Sequence, residues 1–197
     1  MQEIKIEHVT KKYHDKTVLA DYSASLAPGG FYLLQGPSGC GKTTLARLLA
    51  SLENADSGLI SGLPDRISMD YQEDRLCESF DAKSNVRLAA STSLHRDSAC
   101  EAHIEKLLTR LGLDPKDTKP VREYSGGMKR RVTLARCLLA PGDLMILDEP
   151  FDGLDEDNKR AAMELTREYA KGRTTVLITH NEKEAAFFTE ATPLSLS

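Results

Sequence analysis

The stretch "FYLLQGPSGCGKTTLARLLASL", residues 31–52, runs from an apolar segment through a glycine-rich loop into a second apolar pattern. Pro28-Gly29-Gly30 turns the chain just before it. Phe31 to Gln35 is a short apolar run bounded by turn residues, which reads as a buried strand, and Leu45, Leu48, Leu49 and Leu52 recur at helical spacing. Between them Gly36 to Thr43 satisfies G-x-x-x-x-G-K-[ST], in the strand, loop, helix order that phosphate binding demands. Gly36, Gly39 and Gly41 let backbone N–H groups close around α- and β-phosphates, and the helix beginning near Lys42 adds its positive dipole end. Lys42 is expected to reach the β- and γ-phosphates and the Thr43 hydroxyl to bind Mg²⁺. Pro37, Ser38, Cys40 and Thr44 complete the expected nucleotide-binding set. At Cys40 the backbone matters more than the thiol, so no redox role is expected.

Outward from this loop the chain alternates. "EIKIEHV" and "TVLADYSASL" read as strands, residues 53–65 as turn-rich, and "RISMDY" as a short strand ending at Gln72. From about 80 to 120 the character is helical, most clearly in "ACEAHIEKLLTRLG", where Ile104, Leu107, Leu108 and Leu111 form one stripe closed by Gly112. Val132, Ala135, Leu138 and Leu139 make the core face of a helix that stops at Pro141-Gly142. Then follow a buried strand "LMILD", an amphipathic helix "EDNKRAAMELTREYA", a buried strand "RTTVLITH" and a short helix "NEKEAAFF". This order predicts a largely parallel sheet with its ligand at the carboxyl ends of the strands.

The 197 residues suit one domain, with a net charge of −4 that exerts no global pull toward nucleic acid or anionic lipid. Cys40, Cys77, Cys100 and Cys137 form no CxxC pair, which suggests neither a disulfide framework nor zinc and fits a reducing cytosol. No window approaches the roughly 20 apolar residues that cross a bilayer, so a membrane role would need a second chain. Lys129-Arg130-Arg131 reads most simply as a solvated helix face with no nucleic-acid role.

In "LMILDE" the apolar run delivers Asp148 to a strand end, where it can hold Mg²⁺ through water, with Glu149 placed to polarise an attacking water. Two carboxylates there would also suit the capping of the next helix. A phosphate loop by itself implies only nucleotide phosphate binding, since GTPases, kinases and ATPases share it.

Taken together, Tyr13, the phosphate loop, Gln72 in "YQEDRL", "YSGGM", "LMILDEP", "FDGLD" and His180 in "ITHNE" occur in an order and spacing that resembles the nucleotide-binding subunits of ATP-binding-cassette (ABC) systems. The resemblance covers nearly the whole chain. It implies an α/β P-loop NTPase with a mainly parallel core sheet flanked by helices, an N-terminal antiparallel β subdomain and an α-helical subdomain inserted at about 75–140. It also implies roles. Tyr13 would stack on adenine, and Glu149 would be the general base, with His180 on the γ-phosphate. Gln72 would sense Mg²⁺ and the γ-phosphate through a loop that meets a membrane partner. Ser125, Gly126 and Gly127 would bind the γ-phosphate of ATP held by a second copy, and Asp155 would link the two sites. The implied ligands are ATP and Mg²⁺, the latter at Thr43, Gln72 and Asp148. The implied partners are a second copy or a paired ABC subunit, a transmembrane permease on the inner face of the membrane, and for import an extracytoplasmic substrate-binding protein.

The chain departs from the family at several points. Tyr124 and Met128 flank the signature turn Ser125-Gly126-Gly127 where Leu and Gln are commonest, and Asp152 adds a charge to the D-loop "FDGLD", residues 151–155. Only 17 residues follow His180, too few for the C-terminal regulatory domain of some importers. "YQEDRL" with "SNVRLAA" is similar to nitrate, sulfonate and taurine importers. Alternative readings are an exporter subunit, a soluble ABC ATPase of the iron–sulfur assembly type, and a small-molecule kinase, which would leave Ser125-Gly126-Gly127 and His180 without a purpose.

Overall fold

A computed structural model describes residues 2–90 and 98–196, which group into two compact units. Of the described residues, the first comprises 2–69, 142–148 and 170–196, the second 70–90, 98–141 and 149–169.

In the first unit, β1 (Ile4–Tyr13) pairs antiparallel with β2 (Lys16–Leu26) on one side and with β4 (Ser57–Ser61) on the other. The second sheet has the order β5-β6-β7-β3-β8, formed by β5 (Ile67–Asp70), β6 (Leu144–Asp148), β7 (Thr174–Ile178), β3 (Phe31–Gln35) and β8 (Thr192–Ser195). β3 runs parallel to both β7 and β8, and β6 parallel to β7. Every residue of β6 and β7 is buried, as expected of parallel strands covered on both faces. The helix after the glycine-rich loop, α1 (Lys42–Leu49), buries Leu45, Leu48 and Leu49 in a core that also holds Ile4 and Ile6 of β1 with Leu34, Ile146 and Val176 of the parallel sheet. Each such side chain contributes roughly 1.5–3 kcal/mol. That core therefore fixes both sheets and α1 as one frame.

The α/β class and the parallel sheet expected from the sequence are observed, with three differences of detail. Leu52 is 50% exposed because α1 ends earlier. The Ser51 N–H bonds to the Leu48 carbonyl and the Leu52 N–H to that of Arg47, with Ser51 in the left-handed conformation at φ 57°, which closes the helix. The turn-like segment 53–65 contains β4, an edge strand whose Gly and Ser masked its pairing with β1. β8 was not anticipated at all.

The second unit is helical among the described residues. It holds α2 (Ala82–Ala89), α3 (Ser98–Arg110), a single 3-10 turn at Val121–Glu123, α4 (Gly126–Leu139) and most of α5 (Glu156–Ala170). α6 (Glu182–Phe187) belongs to the first unit. The expected stripe is buried, with Ile104, Leu107, Leu108 and Leu111 at 1% exposure or less, and the Gly112 N–H closes α3 onto Thr109. Of the core face expected for α4, Val132, Ala135 and Leu138 are buried and Leu139 is partly exposed.

α2 and α3 are tied by a fork. Arg87 Nε and Nη2 donate to the two Glu101 oxygens at 2.5 and 2.8 Å, and Lys83 lies 3.0 Å from the same carboxylate. The Arg87 guanidinium holds the Glu101 carboxyl down at about 2, below its ordinary 4.5. A carboxyl depressed in the fold stabilises it above pH 4.5 and loses that contribution as the pH falls toward 2. Glu101→Gln should therefore flatten the fall of melting temperature across that window, and the two proteins should converge at its acid end in a pH series of thermal melts.

Candidate functional site

The parallel register sets the first unit's site. Leu34 of β3 pairs with Ile178 of β7, and Ile178 pairs with Asp148 of β6, so three adjacent strands end at one level. From those ends emerge the glycine-rich loop, His180 and Asp148. Gly41 caps α1 at φ 104°, ψ 12°, with its carbonyl accepting from the Leu45 N–H at 2.8 Å. The preceding amides, Gly36 to Cys40, belong to a loop in which Pro37, Ser38 and Gly39 are exposed. Cys40 is half-buried and packs on the core, its Sγ lying 2.6 Å from where a Cβ on Gly36 would stand. Thr44 is buried beneath the loop.

Lys42 Nζ donates to the Gly36 and Pro37 carbonyls, both at 2.8 Å, so its ammonium is folded over the loop. Thr43 Oγ1 donates to Asp148 Oδ2 at 2.9 Å, which joins the two motifs across 105 residues of chain. A hydroxyl and a carboxylate, both hard oxygen donors, match what Mg²⁺ accepts when phosphate and water supply its other ligands. Among the described residues no three His, Cys, Asp or Glu side chains cluster as a metal site of their own. The donor set thus fits Mg²⁺ brought with a nucleotide.

His180 is exposed between two pinned neighbours. Thr179 Oγ1 donates to the buried Glu184 carboxylate at 2.5 Å, and the Asn181 side chain caps α6 by accepting from Lys183 and Glu184 N–H groups. Tyr13 ends β1 with 38% exposure, its hydroxyl donating to Glu53 and its ring centroid 5.5 Å from Lys11 Nζ. Burial and then the Glu53 carboxylate push its phenol above the ordinary value, opposed by a hydrogen bond with Thr44.

The remaining candidates lie in the second unit. Ser125 is the N-cap of α4, its Oγ accepting from the Met128 N–H at 3.3 Å, so Gly126 and Gly127 form the first helical turn with amides free of intrahelical duty. Gly127 approaches the D-loop so closely that a Cβ would stand 3.1 Å from the Gly153 carbonyl. Arg131 reinforces that contact, donating to the Gly127 carbonyl and to Asn158 Oδ1, while Asn158 Nδ2 donates to Asp155. Asp155 also accepts from the Asn158 N–H, bonds that lower its pKa. Asp152 accepts from the Gly153 N–H within its own loop. Tyr124 packs into the core at 7% exposure, and burial followed by Asp117 pushes its phenol up to about 12. Gln72 is exposed, two residues beyond the fully buried Asp70.

One sequence expectation is overturned. Arg130 is no solvated residue but 6% exposed, and its guanidinium contacts the Asp70 carboxylate, the Tyr71 carbonyl and the Glu149 carbonyl. Arg131 is also partly buried. The signal was present, because Arg130 precedes the buried Leu134 and Leu138 by one and two i,i+4 steps and so shares their face. Glu149 hides a second feature. Its φ of 51° is left-handed, a conformation that costs a non-glycine residue about 1–2 kcal/mol and concentrates at functional positions.

A loop of backbone amides leading into a helix N-terminus, with a Thr hydroxyl bonded to a strand-end Asp, defines a P-loop nucleotide-binding protein. The comparisons refine that class. The ABC transporter family matches residues 19–152, and the chain belongs to that family. It is 36% identical to the Nod factor export ATP-binding protein I of Paraburkholderia xenovorans over 92% of its length, spanning 64% of that relative. It is 38% identical to an aliphatic sulfonates import ATP-binding protein of Rhodococcus jostii over 88% of its length, or 71% of that relative. Two solved structures share the fold over 98% of this chain and 94% of theirs. One is a dimeric post-hydrolysis state of an ATP-binding cassette bound to ADP and Pi, at TM-score 0.82 and 24% identity. The other is a dimeric bacterial ABC transporter cassette, at TM-score 0.81 and 25% identity.

Gly41 offers a direct check of the loop. Alanine there would keep a strained φ of 104° and press its Cβ to 2.9 Å from the Val18 carbonyl. Gly41→Ala should cost about 2 kcal/mol, lowering the melting temperature by roughly 4–8 °C, and should weaken nucleotide binding measured by titration calorimetry.

Proposed function

We propose that this chain is the ATP-hydrolysing nucleotide-binding subunit of an ABC transporter, working as a dimer that closes on two ATP molecules beside a separate permease. The observation that carries the reading is the 2.9 Å bond from Thr43 to Asp148, because it brings the phosphate loop and the strand-end carboxylate into one oxygen-donor set. Family membership and the likeness to two dimeric cassettes support it.

In this reading the loop amides and Lys42 bind the phosphates, and Tyr13 offers its ring to the purine. Thr43 and Asp148 would hold Mg²⁺ when the nucleotide binds, with Gln72 as a further candidate ligand. Mg²⁺ supplies charge neutralisation of the phosphate oxygens. Glu149 accepts the proton of the attacking water, and His180 steadies the γ-phosphate. Ser125, Gly126 and Gly127 present a helix N-terminus to the ATP of the partner copy, so each site is completed in trans. Asp155, bound into the signature turn through Asn158 and Arg131, carries the state of one site toward the other. Opening after hydrolysis switches the permease, whose partner for import would be an extracytoplasmic binding protein.

Import is favoured by "YQEDRL" and by the sulfonate relative, whereas the Nod factor relatives favour export. Copurification of the permease and its cargo decides between them. Glu149→Gln should abolish ATP turnover while retaining ATP-bound dimers on size-exclusion chromatography. Hydrolysis within twofold of the parent protein would exclude Glu149 as the base.

A further inference from the structure

Arg130 is a buried charge that no assigned role absorbs. Its Nη2 donates to Asp70 Oδ2 at 2.8 Å and to the Glu149 carbonyl at 3.0 Å, while its Nη1 donates to the Tyr71 carbonyl at 2.6 Å and lies 3.4 Å from Asp70 Oδ1. The side chains of Arg130 and Asp70 are 7% and 0% exposed. A solvated arginine could make none of these contacts selectively. Here one planar group spans the Tyr71 carbonyl immediately before Gln72 and the carbonyl of Glu149 itself, 78 positions apart in the chain.

We infer that Arg130 is a positioning residue, a rigid guanidinium clamp that holds the Gln72 segment and the Glu149 carbonyl at a fixed separation from within one unit. The inference rests on the ATPase reading above for its catalytic consequence, though the clamp itself is a property of the fold. Three features argue for it. Asp70 ends β5 two residues before Gln72, so pinning its carboxylate and the Tyr71 carbonyl sets the path by which the chain leaves β5 toward Gln72. Glu149 occupies a left-handed backbone well that needs outside support, and its carbonyl accepts from Arg130 at 3.0 Å, a shorter bond than the local one from the Asp152 N–H at 3.3 Å. Finally, α4 is the same helix that Ser125 caps, so Arg130 stands five residues from the signature turn on an element that carries its register. Lysine would keep the charge beside Asp70, but a point ammonium cannot reproduce the planar fork that reaches both carbonyls.

The test uses Arg130→Lys and the paired substitution Arg130→Met with Asp70→Val, since replacing both members of a buried ion pair by apolar residues preserves stability where removing one does not. Thermal melts establish that each is folded, and the lysine variant keeps the question open to refutation if the double variant does not fold. Each folded variant should bind ATP within about twofold of the parent and keep its KM, yet lose about tenfold or more in kcat, as displaced catalytic groups do. Amides of residues 71–73 and 149–152 should exchange with deuterium faster while those of α4 stay protected. Parental kcat and parental exchange in a folded variant would overturn the clamp. If the parent itself turns over no ATP, the ATPase reading fails, and exchange at the two segments still decides whether Arg130 holds them.

Discussion

The hydrogen bond between Thr43 and Asp148 depends on sheet register before it depends on either side chain. β3, β7 and β6 pair in parallel so that their carboxyl ends coincide, and this places a hydroxyl from the first turn of α1 within 2.9 Å of a carboxylate at the end of β6. Slipping β6 by one residue would turn Asp148 to the opposite face and exchange a satisfied buried carboxylate for an unpaired one. The continuous burial of "LMILD" and "TTVLI" resists such a slip through the packing of Leu34, Ile146 and Val176 against α1. Chemistry at the strand ends is thus a consequence of apolar packing further down the same strands.

The second unit solves a different problem, the placement of backbone groups. Ser125 caps α4, Arg131 binds the Gly127 carbonyl and Asn158, and Arg130 binds the carbonyls of Tyr71 and Glu149. Consecutive arginines on one helix therefore address different segments, Arg131 the Ser-Gly-Gly turn, the end of α3 and Asn158 of α5, Arg130 the segments of Gln72 and Glu149. Buried arginine suits this work because its fork reaches several carbonyls at fixed angles while a carboxylate offsets its desolvation.

Much of this was legible in the sequence, and the exceptions have physical causes. The phosphate loop, the buried strands and the Ile104 to Leu111 stripe carry strong local patterns that tertiary structure had no reason to override. β4 was hidden because Ser57 and Gly58 favour turns, and only pairing with β1 makes them a strand. Leu52 matched the helical period but fell beyond a left-handed Ser51, which no periodicity reveals. Arg130 was misread because charge suggests solvent, although its spacing to Leu134 and Leu138 pointed inward. The left-handed backbone of Glu149 has no sequence signature at all.

In the proposed dimer each ATP is held by the phosphate loop of one copy and the Ser125-Gly126-Gly127 turn of another. Mixing a Lys42→Ala chain with a Ser125→Arg chain and following ATP turnover tests this claim. A site shared between copies predicts that the mixture regains activity well above the sum of the two inactive variants, because one composite site then has both an intact loop and an intact turn. Turnover no greater than that sum, with mixed dimers demonstrably formed, would contradict the claim.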